Sequence, residues 1–115
     1  MPQVNVKINY IVSEEQRSII ENGMVDIVVK NLGKRDNWLM VFVEDNAKIY
    51  FRGDNKTHTA GIALTVYKEI DDESAQKFIT TATELVASNT DIQKDRIEVI
   101  IQPVNQWGLG GKYIN

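Results

Sequence analysis

The chain has 115 residues, 43% of them hydrophobic and 25% charged, with a formal net charge of −3. That length fits one domain, and the slightly acidic balance leaves no basic footprint for nucleic acid or an anionic membrane. With no cysteine and a single histidine, disulfides and thiolate metal sites are excluded and a transition-metal site is not expected. No apolar run approaches a membrane span and no signal-peptide core opens the chain, so the expected location is cytoplasmic.

Pro2 follows Met1 directly. A small second residue favours removal of the methionine, which leaves a secondary amine on a rigid ring. In an apolar pocket that nitrogen loses its preference for the charged form, and it can then serve as a general base or acid near neutral pH. Taken alone, Pro2 also reads as an ordinary strand-start proline. The alternation of Gln3-Val4-Asn5-Val6-Lys7-Ile8-Asn9-Tyr10 predicts a half-buried strand that would hold the nitrogen at a fixed depth.

Ser13 and Gln16 have capping-box spacing, and Ile20, Met24, Ile27 and Val28 form a helical stripe ended by Gly33. The run from Trp38 to Val43 reads as a nearly continuous apolar strand, the pattern of a central strand covered on both faces. Tyr50-Phe51-Arg52-Gly53 predicts a short strand or turn.

The plan then repeats. Gly61-Ile62-Ala63-Leu64-Thr65-Val66 reads as a strand, and the acidic Asp71, Asp72 and Glu73 suit a helix N-terminus. Phe78, Ile79, Ala82, Leu85 and Val86 supply that helix's apolar face, and Ile97, Val99, Ile100 and Ile101 a further strand. An offset of 58 carries Val41 onto Val99, Val43 onto Ile101 and Gly53 onto Gly111, so residues of about 2–58 and 60–115 are copies of one unit. The expected fold is α+β: two tandem βαβ units with right-handed crossovers, forming one four-stranded mixed sheet with two helices on one face. The other face carries Val and Ile as well, and a symmetric homo-oligomer is the economical cover for it.

Several motifs carry no function. Arg52-Gly53-Asp54 spells an adhesion tripeptide but reads as a turn, and Asn55-Lys56-Thr57 is an idle glycosylation pattern. The glycines from Gly108 to Gly111 precede no helix, so a hairpin fits better than a phosphate loop. His58 lies in a polar loop and is expected to be solvated.

An amino-terminal proline, the duplicated βαβ plan, Gly33-Lys34, Val66 with Lys68, Asp95-Arg96-Ile97 and Trp107-Gly108-Leu109-Gly110-Gly111 together resemble the tautomerase superfamily. Its branches include 4-oxalocrotonate tautomerase, macrophage migration inhibitory factor and malonate semialdehyde decarboxylase. The resemblance spans nearly the whole chain. It implies a cofactor-independent keto–enol tautomerase, homotrimeric, acting on a small-molecule carboxylate or carbonyl compound. Pro2 would be the catalytic base. Lys34, Lys68 and Arg52 are the cations left to hold substrate, and Phe51, Val66 and Trp107 would line the pocket. The arginines with which relatives clamp carboxylates have no counterpart, because Glu98 and Val12 stand near their places; a lysine does not reproduce their bidentate grip. Arg35-Asp36 resembles the decarboxylase pair, so a second reading is a hydratase or decarboxylase of a 3-oxo acid, with Asp36 or Glu98 orienting water. A third is a non-catalytic trimeric binding protein, in which Glu98 beside the amine would favour its ammonium form.

Overall fold

The computed structural model describes residues 1–33 and 38–114. Strand β1 (Pro2–Ile8) is followed by α1 (Glu14–Leu32), β2 (Met40–Glu44), β3 (Ala60–Tyr67), α2 (Asp72–Ser88), one 3-10 turn (Lys94–Arg96), β4 (Ile97–Val104) and a hairpin of β5 (Trp107–Leu109) and β6 (Lys112–Ile114). The first sheet has the order β2-β1-β3-β4. β1 runs parallel to β2 and β3 parallel to β4, and the two pairs join through antiparallel β1–β3. This is the expected pair of βαβ units in one mixed sheet.

The repeat extends to the register of individual residues. Gln3 pairs with Met40, and Gly61 pairs with Glu98, the same pairing 58 residues on. The β1–β3 ladder relates Pro2↔Val66 to Ile8↔Ala60, which sets a pseudo-twofold axis at the Asn5↔Ala63 pair. The closing turns match too. Arg52 and Gly53 have φ of 51° and 81°, and Gly110 and Gly111 have 60° and 80°. Two successive left-handed residues define the tight turn that suits the twist of a hairpin. Arg52 adopts it without a glycine's freedom. The last two strands confirm the hairpin expected at Trp107–Gly111.

Helix α1 starts and stops where its sequence signals stand, and α2 starts at its acidic cluster. Ser13 and Gln16 form the reciprocal capping box, and Gly33 ends α1 in the left-handed conformation. The core lies between sheet and helices: Val4, Val6, Ile8, Ile62, Leu64 and Val66 from the strands meet Ile20, Met24, Val28, Phe78, Ala82 and Val86 from the helices. The helices approach closely at Gly23, where an added Cβ would stand 2.5 Å from a Leu85 methyl.

Three expectations are corrected. The Trp38–Val43 run is no doubly covered central strand: β2 lies at the sheet edge, with Val43 buried while Met40 and Phe42 remain exposed. Alternation therefore governs this strand as it does the others, and the apolar side chains on its second face mask the pattern. The sheet face away from the helices is not a valine and isoleucine surface. It carries Gln3, Asn5, Lys7, Glu98 and Gln102 along with Met40, Phe42 and Ile100, because the strand valines alternate toward the helices. Ile79, assigned to the apolar face of α2, is 41% exposed; it sits one position beyond the buried Phe78 and so turns about 100° away from it.

Candidate active site at the start of the first strand

Pro2 opens β1 and is fully buried. It stands opposite Val66, itself buried, which in turn pairs with Pro103 of β4. One residue further, the Tyr67 N–H donates to the Met1 carbonyl oxygen at 3.0 Å. The ladder ends there because Lys68 turns left-handed, with φ 69°, and its N–H crosses to the Val104 carbonyl at 2.8 Å. The Lys68 ammonium then lies 5.2 Å from the centre of the Tyr67 ring, an exposed cation held beside the strand end. Tyr67 also pairs with Val104, so the hairpin carrying the half-buried Trp107 leaves the sheet at this same end.

The pseudo-twofold axis makes the second unit an internal control. The counterpart of the Tyr67–Met1 bond is the Asn9 N–H donating to the Thr59 carbonyl at 3.2 Å, and the counterpart of Pro2 is Ala60. There the chain continues backward through Thr59 and His58. His58 is not a free solvated side chain. Its Nδ1 lies 2.7 Å from Asp91 Oδ1 and its ring stacks on Tyr10 with centroids 3.7 Å apart. The His58 hydrogen bond holds the Asp91 carboxyl below its usual range, and burial raises the Tyr10 phenol.

The remaining residues singled out in the sequence divide between the two ends of the sheet. Val66, Lys68 and Trp107 share the end with Pro2. Phe51, Arg52 and Glu98 lie at the other: Glu98 pairs with Gly61, which pairs with Lys7. Five residues along the strand separate that register from Pro2, roughly 16 Å. One chain therefore does not bring these three to Pro2. Lys34 and Asp36 lie outside the described residues.

A residue not proposed for the site organises that second end. Arg96 is 7% exposed. Its guanidinium donates to Thr59 Oγ1 at 2.7 and 3.1 Å and to the Phe51 carbonyl at 3.1 Å, lies 3.5 Å from Asp54, and sits 5.0 Å from the centre of the Phe51 ring. The Asp54 carboxylate accepts the backbone N–H groups of Thr57 and Lys56, which hold its pKa low. Arg52 is ion-paired with Asp95 at 3.4 Å. Both charged members of the Arg-Gly-Asp tripeptide are thus engaged within the fold. The signal for Arg96 was available in Asp95-Arg96-Ile97, but its burial depends on Thr59 and Phe51, distant in sequence.

A family model for macrophage migration inhibitory factor (MIF) matches residues 1–113. The chain belongs to the MIF family. No curated protein matches it by sequence. Among solved structures it is similar to MIF2 of Leishmania major, with TM-score 0.91 and 18% identity over 99% of this chain and 97% of that one. It is similar to Pt0534 inactivated by 2-oxo-3-pentynoate, with TM-score 0.82 and 14% identity over 89% and 85%. A symmetric trimer of fused 4-OT gives TM-score 0.85 and 13% identity over 94% and 91%. These likenesses establish the fold of the MIF family and tautomerase superfamily. Among the described residues no helix is long and apolar enough to cross a membrane.

Proposed function

We propose that this MIF-family chain, once Met1 is removed, is a cofactor-independent keto–enol tautomerase with the Pro2 nitrogen as its base and acid. The observation that carries this reading is the position of Pro2: fully buried, at the first position of a strand whose far side is packed core. A secondary amine freed there is poorly solvated, so its ammonium form is disfavoured and the neutral base is available at physiological pH.

Removing Met1 also removes the acceptor of the Tyr67 N–H. That donor, now aimed 3.0 Å from the place of the lost carbonyl oxygen, stands beside the amine. An enolate oxygen occupying the same place receives a fixed hydrogen bond where negative charge develops. In the reaction the Pro2 nitrogen takes a proton from the carbon next to a carbonyl. The C–H electrons form the C=C bond as the carbonyl π electrons move onto oxygen, and the proton is then delivered to that oxygen. The reverse path gives the keto form. Lys68 and Lys34 supply positive charge for a substrate carboxylate, Val66 and Trp107 exclude water, and the substrate class is a 2-oxo acid or a phenylpyruvate-like compound.

Phe51, Arg52 and Glu98 can join such a site only from another copy of the chain. A homotrimer, the assembly named for the fused 4-OT neighbour, supplies one, and it also covers the exposed Met40, Phe42 and Ile100. The test is enol–keto conversion of phenylpyruvate, followed by ultraviolet absorbance, on protein whose intact mass shows Met1 absent. Turnover is expected for the processed protein and loss of about 10²-fold or more for Pro2→Ala, the scale of one general base. Turnover unchanged by Pro2→Ala or by retention of Met1 refutes the reading.

A further inference from the structure

The strand that ends beside Pro2 closes on an uncommon backbone. Lys68 has φ 69°, in the left-handed region, which costs a lysine free energy that a glycine avoids. Of the three non-glycine residues so placed among the described residues, Asn46 is of a type that tolerates this region. The Arg52 side chain is engaged with Asp95. The Lys68 side chain meets the ring of its own neighbour, with the ammonium 5.2 Å from the Tyr67 ring centre.

That contact depends on the turn. Side chains alternate along β3: Ile62, Leu64 and Val66 are buried toward the helices, while Ala63, Thr65 and Tyr67 are half-buried on the opposite face. Continued extension would send Lys68 to the helix side, away from Tyr67. The left-handed residue breaks the alternation and brings the ammonium over the preceding ring. The turn is anchored to β4 and not to Met1, because the Lys68 N–H donates to the Val104 carbonyl at 2.8 Å and Tyr67 pairs with Val104. Loss of Met1 removes the acceptor of the Tyr67 N–H and leaves the anchor of Lys68 in place.

The pseudo-twofold again supplies a comparison. The counterpart of Tyr67 is Asn9, whose side chain donates to the Thr57 carbonyl at 2.9 Å and accepts from the Thr59 N–H at 2.8 Å. Both partners belong to the chain leading into Ala60. At the Pro2 end the same place on the sheet carries an aromatic ring with a cation on it. The two strand starts thus differ in the side chains that flank them, and the ring and cation fall at the one with the amine.

We propose that Tyr67 is a positioning residue of the Pro2 site: its ring holds the Lys68 ammonium where the carboxylate of a 2-oxo acid is received. The pair then forms the carboxylate subsite. This deepens the tautomerase reading and rests on it. The ring restricts a flexible four-carbon stem, so less ordering is left to be done when substrate binds. A ring–ammonium contact at an exposed site sets the expected effect on carboxylate affinity at about two- to fivefold.

The experiment uses Met1-free protein. ¹H–¹⁵N NMR titrations give dissociation constants for 3-phenylpropanoate, a carboxylate with no ketone to enolise, and for the neutral 3-phenylpropanamide. Phenylpyruvate kinetics are run on the same variants. Tyr67→Leu should weaken 3-phenylpropanoate about two- to fivefold and raise the KM for phenylpyruvate by the same factor, with kcat held within about twofold and amide affinity unchanged. Tyr67→Phe keeps the ring and should restore the affinity. Lys68 is exposed, so the fold survives Lys68→Gln, which should weaken the carboxylate about tenfold. Adding Tyr67→Leu to that variant should cost nothing more, because the ring acts through the ammonium. A ring that only supports the fold, or touches the ligand itself, would weaken the amide as well or lower kcat. That result, additive effects in the double variant, or a carboxylate bound no tighter than the amide would overturn the proposal. Absent turnover with this binding pattern intact refutes the Pro2 base and leaves the subsite standing. Turnover lost in Pro2→Ala together with additive effects refutes the subsite and leaves the base.

Discussion

Replacing Arg96 by methionine keeps most of the buried stem and removes the guanidinium, which makes it a clean test of what holds the remote end of the sheet. The guanidinium's bonds to Thr59 Oγ1 and to the Phe51 carbonyl are charge-assisted, worth roughly 1.5–3 kcal/mol each when the two to one hydroxyl are counted once. The Asp54 pair adds little, because that side chain is 38% exposed and solvent screens it. The Phe51 carbonyl would lose its charged donor, while Thr59 Oγ1 still donates to the Thr57 carbonyl at 2.8 Å. The sum is about 3–6 kcal/mol, a large share of the roughly 5–15 kcal/mol that stabilises a domain. At about 4 °C per kcal/mol for a chain of this length, the melting temperature should fall by roughly 12–24 °C. Thermal unfolding should be compared at one protein concentration, because the proposed assembly would make the midpoint concentration-dependent. Amide exchange at residues 51–54 should accelerate more than exchange in β1. A fall below about 4 °C, or exchange that is unchanged at that turn, would refute the assignment of Arg96 as the latch.

Arg52→Asn places a residue that accepts the left-handed region ahead of Gly53, in the Asn-Gly order this turn prefers. It gives up a solvent-exposed ion pair with Asp95, so a midpoint rise of a few degrees is expected and a fall contradicts the turn assignment. Gly23→Ala gains about 1 kcal/mol of helix propensity but drives its Cβ against Leu85; the gain should emerge fully only beside Leu85→Ala, and a double-mutant cycle showing additivity would refute that contact. Asp54 has its carboxyl pKa lowered in the folded state, mainly by the Thr57 and then the Lys56 N–H. Its contribution is therefore present above the unfolded carboxylate value, about 3.9, and is lost as pH falls through the lower folded value. Urea unfolding of Asp54→Asn should accordingly show a shallower loss of stability in that acid window, and an unchanged slope contradicts the bonding.

Periodicity carried most of the fold into view. The alternating β1, the Ser13–Gln16 box, the stripe of Ile20, Met24 and Val28 and the offset of 58 all translate directly into elements and register, because each is a local rule or its repetition. The place of β2 in the sheet was not legible. An edge strand whose second face carries Met40 and Phe42 reads like a buried one, because apolar side chains on both faces mask the alternation. Within the candidate site, Pro2 was singled out by its place behind Met1 and Val66 and Lys68 by the family resemblance; the β1–β3 register sets Val66 opposite Pro2, and Lys68 follows two residues on. It was not legible that Phe51, Arg52 and Glu98 stand at the opposite end, since that follows from how the two copies are joined and not from any one motif. The partnerships of His58 with Asp91 and of Arg96 with Thr59 cross 33 and 37 positions, a separation at which polar residues give no pairing signal in a single sequence.

The central claim is that a nucleophilic, neutral amine exists at Pro2 near neutral pH. The most direct measurement is to treat Met1-free protein with 2-oxo-3-pentynoate, the compound that inactivated the structural neighbour Pt0534, and to map the adduct by tandem mass spectrometry. One adduct per chain on the Pro2 nitrogen, formed at neutral pH and in step with loss of phenylpyruvate turnover, is the predicted result. An unmodified Pro2, or adducts distributed over surface lysines, would contradict it.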